Sequence, residues 1–178
     1  MKRIVIGLSA ILLSLSAFAQ GSIPLLDRVP GHRVQFHYTY SLSKGGGPMK
    51  QVTDGEMLLE GNAYRLSGLG MEVRSDGISR WTADTEAQEL IIEAVDQNDI
   101  LTNPALFIGS YKKYGKQLKV NASGPDSLDV TLTLDEETKA RFVLRDVHFL
   151  DPLGQDGLGD FVWDVSSLPS SYVVTDLR

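Results

Sequence analysis

The feature that most limits how this chain can fold is a two-residue alternation that recurs in short blocks. In Val34-Gln35-Phe36-His37-Tyr38-Thr39-Tyr40-Ser41-Leu42 every second residue is apolar or aromatic, the period of an extended strand with one face buried and the other wet. Similar blocks occupy residues 52–59, 63–67, 71–74, 78–82 and 89–93, and then 117–121, 128–134, 140–150, 161–165 and 172–175. Between them stand turn formers: Lys44-Gly45-Gly46-Gly47-Pro48, Gly61-Asn62, Gly68, Asp76-Gly77 and Asp84. Asp-Gly between alternating runs predicts a tight hairpin, because both residues tolerate the positive φ of a primed turn.

Two segments break the pattern. Residues 22–28 are expected to form one or two helical turns before Pro30-Gly31 stops them. In Leu101-Thr102-Asn103-Pro104-Ala105-Leu106-Phe107-Ile108-Gly109-Ser110-Tyr111, Thr102 or Asn103 can cap and Pro104 suits a first helical turn. A short apolar helix is expected there. No βαβ rhythm and no fixed repeat appear, so the fold class is mainly β: an incomplete antiparallel barrel of about 10 or 11 strands interrupted by a short helix. The best-patterned strands place Phe36, Tyr38, Tyr40, Met57, Leu59, Tyr64, Leu66, Ile92, Leu132, Phe142, Leu144, Phe149 and Trp163 on its concave face. Period alone does not say whether they fill that face or line it.

The amino terminus reads as an export signal: Lys2 and Arg3, an apolar run from residue 4 to 15, then the small-x-small site Ala17-Phe18-Ala19. That run is too short to cross a bilayer, which takes about 20 residues. Cleavage after Ala19 is expected to leave 159 of the 178 residues, the size of a single domain, residues 20–178. The chain has no cysteine, so lipid attachment behind the signal and disulfide staples are both ruled out. Without Lys2 and Arg3, 15 basic residues face 23 acidic ones, a net of −8; such a surface repels phosphate backbones, and nucleic acid is not an expected partner.

Catalytic chemistry finds little footing. The histidines are His32, His37 and His148, and the last two sit opposite the apolar faces of their strands, where solvent is the plain reading. The Glu136-Glu137 pair reads as a solvated turn rather than a glycosidase pair. Gly45-Gly46-Gly47 runs into a proline and a strand, not into the helix start that a phosphate cradle needs. The stretch 151–160 has oxygen ligands and glycines but lacks the acidic spacing of a calcium loop, so a turn is expected. Asn121-Ala122-Ser123 is a glycosylation triplet by chance spacing, and Lys112, Lys113, Lys116 and Lys119 make a basic cluster best read as a solvated face. An enzyme is not expected, and neither is a metal or a cofactor.

Taken in order, several segments resemble the outer-membrane lipoprotein carrier family, the LolA-like proteins of the periplasm. Residues 71–81, Met-Glu-Val-Arg-Ser-Asp-Gly-Ile-Ser-Arg-Trp, look like that family's strand, Ser-Asp-Gly turn and tryptophan-bearing strand. Asn103-Pro104-Ala105-Leu106-Phe107-Ile108 looks like its lid helix, and Phe161-Val162-Trp163-Asp164-Val165 with Val173-Val174-Thr175-Asp176 is similar to its closing strand and tail. The resemblance spans nearly the whole mature chain and rests mainly on the order of the pieces.

It implies a barrel wrapped over a helical lid, with an apolar cavity for lipoprotein acyl chains or another lipid. Trp81 joins the cavity wall in that scheme, and Pro104, Leu106, Phe107, Ile108 and Tyr111 form the lid. It also implies a monomeric periplasmic shuttle between an inner-membrane releasing complex and an outer-membrane receptor. One departure stands out: the family's lid-bonding arginine has no match in Leu59-Glu60-Gly61-Asn62, and Arg65 lies a few residues on. Altered lid control is the consequence expected, and the alternative function is a lipid- or protein-sensing module on the same fold. A third class, an enzyme acting on envelope lipids or glycans, needs a cleft of convergent polar groups.

Overall fold

The alternating blocks form strands. The computed structural model describes residues 22–96 and 104–178. Its strands are β1 (Arg33–Ser43), β2 (Lys50–Glu60), β3 (Ala63–Gly68), β4 (Met71–Ser75), β5 (Ser79–Asp84), β6 (Glu89–Ala94), β7 (Leu118–Ser123), β8 (Leu128–Thr133), β9 (Lys139–Leu150) and β10 (Val173–Asp176). They make one sheet in the order β10-β6-β5-β4-β3-β2-β1-β9-β8-β7. Among the described residues β7 and β10 remain unjoined edges, so the barrel is incomplete. Two short helices accompany it: α1 (Pro24–Asp27) and α2 (Pro104–Ser110), the latter running into a 3-10 segment, Tyr111–Gln117. The expected lead-in to α2 at Leu101, Thr102 and Asn103 lies outside the described residues. No helix among them is long and apolar enough to cross a membrane.

Topology explains where α2 goes. β6 and β7 are consecutive in the chain but sit near opposite ends of the sheet, with β5 to β1, β9 and β8 between them. The connection must therefore cross one face of a curled sheet, and it crosses the concave one. There α1, α2 and the inward side chains of β1, β2, β8 and β9 share one core, in which Leu26, Val34, Leu59, Tyr64, Phe107, Leu128, Val130 and Leu132 are almost wholly buried.

Curling requires close backbone approach between β2 and β3. A Cβ at Gly55 would stand 1.7 Å from the carbonyl oxygen of Ser67, and one at Gly68 2.4 Å from that of Asp54. Only glycine fits at that crossing. The turns differ from expectation in one respect. The primed geometry belongs to Leu69-Gly70, with φ of 53° and 77°. At Asp76-Gly77 only the glycine is left-handed, and the Asp76 carboxylate accepts from the backbone N–H of Ile78 and Ser79 at 2.8 and 2.7 Å. This makes a three-residue loop between β4 and β5 rather than a two-residue one.

Residues 161–165, expected as a strand, are not one. They belong to a strap, from residue 151 to 172, that contains two 3-10 segments (Gly154–Asp160 and Val165–Ser167) and lies on the outer face. Every strand beneath it already has partners on both sides, so the strap finds no free edge and forms its own local turns. Phe161 packs on Leu58 and Ala63. Arg74 donates to the carbonyl of Val162 at 3.1 Å and stacks over the Trp163 ring at 4.3 Å. Buried Arg33 bonds to Asp160 and lies 3.5 Å from Glu60, which accepts in turn from the backbone N–H of Gly154. The strap ends by laying β10 parallel to β6, the one parallel pair among the described residues.

Candidate functional site: an apolar hollow between sheet and lid

The sheet is covered on different faces in its two halves. Over β1, β9, β8 and β7 the helices cover the concave side; over β3 to β6 the strap covers the convex side. The concave side of β3 to β6 therefore faces open space, and a cavity of about 430 Å³ lies between it and α2. That size falls within the roughly 300–1,000 Å³ of small-molecule sites.

Register builds its wall. One row of cross-strand neighbours runs Phe36, Met57, Leu66, Val73, Thr82, Ile91, through six adjacent strands. All six line the cavity. Two residues along each strand, a second row runs Leu59, Tyr64, Ser75, Arg80, Glu93. It begins in the core beneath the helices and ends in an ion pair that reaches the cavity, with Arg80 Nη2 at 2.7 Å from Glu93 Oε1. Apart from Thr53, Thr82 and this pair, the lining is aliphatic, aromatic or thioether.

The roof is aromatic. Phe107 of α2 stacks on Phe142 of β9 at 4.6 Å and 10°, and Phe142 stacks on Tyr40 of β1 at 5.0 Å and 30°. Ile108 completes this end. The two helices are clasped together: the Tyr111 hydroxyl accepts from the backbone N–H of Ile23 at 3.1 Å and donates to Asp27 at 2.7 Å. Lys112 Nζ stands 2.6 Å from the same carboxylate. Lys112, then Ser22 and Tyr111, hold the Asp27 carboxyl well below its usual range. Burial pushes the Tyr38 hydroxyl up. It does the same to Tyr64, with the neighbouring Arg80 guanidinium opposing it. The Tyr64 hydroxyl is buried with no hydrogen-bond partner among the described residues.

Among the residues singled out from sequence, Phe36, Tyr38, Tyr40, Met57, Leu66, Phe107, Ile108, Phe142 and Leu144 line the cavity. Leu59, Tyr64, Leu132 and Tyr111 lie in the core under the helices instead, and Phe149 packs at its margin, against His32 and beneath Arg28. Leu106 is half-buried and absent from the lining, and Pro104 opens α2. Trp81, Ile92 and Trp163 are placed on the wrong side by the sequence reading: Trp81 and Ile92 form a separate cluster with Ala83 and Leu90 on the convex face, and Trp163, a residue of the strap, packs on it there. Strand parity requires this, because Arg80, Thr82, Ile91 and Glu93 take the concave side and their neighbours must point the other way.

Val52, Thr53, Met71, Val73, Arg80, Thr82, Ile91 and Glu93 are lining residues that sequence reasoning missed. In β5 the usual rule of apolar inward is reversed with respect to the cavity, since the strap takes the apolar face. The adjacent apolar residues Leu90-Ile91-Ile92 hid the parity of β6. Arg65 faces the convex side, opposite Leu58 in register and away from the lid. His37, half-exposed on that outer face, stands 3.2 Å from Glu56 and 3.5 Å from Asp146. Among the described residues no three His, Asp or Glu side chains converge as a metal site would require.

The hollow can shield hydrocarbon from water and offers few groups suited to bond-making. No protein-family model matches this chain, and no curated protein matches it either.

Proposed function

We propose that this protein is a periplasmic carrier that holds the acyl chain of a lipoprotein, or of a similar lipid, in the hollow under α2 and delivers it toward the outer membrane. The observation that carries the reading is the continuous row from Phe36 to Ile91, apolar except for Thr82, open to a 430 Å³ cavity and roofed by an apolar helix. The amino-terminal signal supports the compartment, and the ordered resemblance to the lipoprotein carriers supports the direction of traffic.

The magnitudes suit a shuttle. If a methylene takes up about the 30 Å³ that a water occupies in the liquid, the cavity matches on the order of a dozen methylenes, one chain and not several. At about 0.8 kcal/mol each, burial returns roughly 10 kcal/mol. An association cost of at least about 4 kcal/mol leaves at most about 6, a hold no tighter than tens of micromolar before any head-group contact. Such a ligand is protected in transit and still leaves when a receptor competes for it.

The test is mass spectrometry of an organic extract of the protein purified from its native envelope, paired with titration of an environment-sensitive fatty-chain dye. Acyl lipid in near-equimolar amount and a saturable dye response are expected. A lipid-free extract together with a flat titration overturns the proposal. A second reading, a sensor that binds the same chain without transporting it, is favoured by Arg65 facing away from the lid. It predicts a bound chain but no transfer of lipoprotein from inner-membrane vesicles to acceptor vesicles.

A further inference from the structure

The charged end of the second row bears on which lipid the cavity accepts. Arg80 directs both Nε and Nη2 to one oxygen of Glu93, Oε1, at 3.0 and 2.7 Å. The second oxygen, Oε2, accepts no hydrogen bond among the described residues. Both side chains are largely withdrawn from water, 19% and 33% exposed, and both line the cavity. That oxygen belongs to a residue of the cavity lining and keeps its capacity to accept from a donor in the cavity.

Guanidinium in an apolar cavity ordinarily suggests an anionic ligand. Here its charge is already matched by Glu93, so a carboxylate head would meet a repelling oxygen as well as an attracting cation. A neutral donor meets no such conflict. From β6 to β1 the apolar row covers five strand spacings of about 4.8 Å, roughly 24 Å along the curved wall. A chain anchored at Glu93 can therefore lie across Ile91, Thr82, Val73 and Leu66 toward Phe142 and Phe107.

We infer that the cavity selects single-chain lipids headed by an uncharged hydrogen-bond donor, a hydroxyl or an amide N–H, over free fatty acids, with Glu93 Oε2 receiving the donor. This rests on the hollow being the chain-binding site proposed above, and it adds the head-group class.

The experiment displaces a neutral, chain-binding fluorescent dye from the mature protein at pH 8 with 1-monododecanoylglycerol, N-dodecanoyl-ethanolamine or dodecanoate, each below its aggregation threshold. The two neutral lipids should displace dye at concentrations at least tenfold lower than dodecanoate. Glu93→Gln, which keeps the side-chain shape but removes the negative charge that repels a carboxylate head, should reverse the order in favour of dodecanoate, with thermal melting to verify the fold. Dodecanoate equal to or better than the neutral lipids on the unaltered protein overturns the inference by itself, whatever the variant does, and leaves the carrier reading standing. An unchanged order in a folded Glu93→Gln protein overturns the role of Glu93. Failure of the dye and of all three lipids to bind defeats the carrier reading, and this inference falls with it.

Discussion

Filling the hollow from its wall should abolish chain binding without harming the fold, and Thr82 is the position from which to do it. It is half-buried at the centre of β5, lines the cavity, and pairs with Val73 on one side and Ile91 on the other. Thr82→Phe keeps a residue suited to strands and removes a hydroxyl from an apolar surface. It adds about four heavy atoms, the space of roughly four methylenes, so a resident chain forfeits about 3 kcal/mol of burial at 0.8 per methylene. A rigid ligand would lose about a hundredfold in affinity; a flexible chain can shift, and a loss of at least about tenfold is expected. The ring buries apolar surface in otherwise open space, so the melting temperature should hold or rise. Dye titration and thermal melting on the same preparation decide the matter. A Thr82→Phe protein that melts as the unaltered one does and binds the dye equally well would refute the assignment of the cavity as the binding site.

Three further perturbations test the framework. Phe107 is 1% exposed and stacked on Phe142, so Phe107→Ala should lower unfolding free energy by about 3 kcal/mol or more, read from the urea midpoint. Arg33→Met strips Glu60 and Asp160 of their cation and should cost about 3–5 kcal/mol while speeding proteolysis in the strap at residues 151–172. Adding Glu60→Met should recover part of that loss, since removing both charges leaves no buried carboxylate stranded. Asp27 is held well below its usual 3.8, and Asp176 is lowered to about 2 by Arg178. Folded values below unfolded ones mean stability that is complete above about pH 4 and lost as pH falls through the folded values. The melting temperature should therefore drop between about pH 4 and pH 2, and Asp27→Asn should flatten that slope; an identical pH profile in the variant would remove Asp27 from the account.

The concave face shows where sequence reading works and where it stops. In β1 and β9 the residues that alternate with the apolar ones are mostly polar or charged, so alternation alone puts Phe36, Tyr38, Tyr40, Phe142 and Leu144 inward, and each lines the cavity. In β5 and β6 both faces carry apolar residues, and no local pattern says that Trp81 and Ile92 belong to the strap while Thr82 and Ile91 belong to the hollow. The Arg80 and Glu93 pair was out of reach for the same reason: the two are 13 positions apart and meet only through the β5 and β6 register.

Short-range order was thus determined by the amino-acid sequence alone: the strand period, the turn residues, the short apolar helix and the mainly β class, because each depends on neighbours within a few positions. Only the tertiary structure decided which face of each strand is covered, because coverage depends on where two long connections pass. α2 must cross from β6 to β7 and so roofs the concave side, while the segment after β9 must return to β6 and so seals the convex one. The hollow is what those two crossings leave open, and its polar end exists because the strap claimed the apolar side of β5.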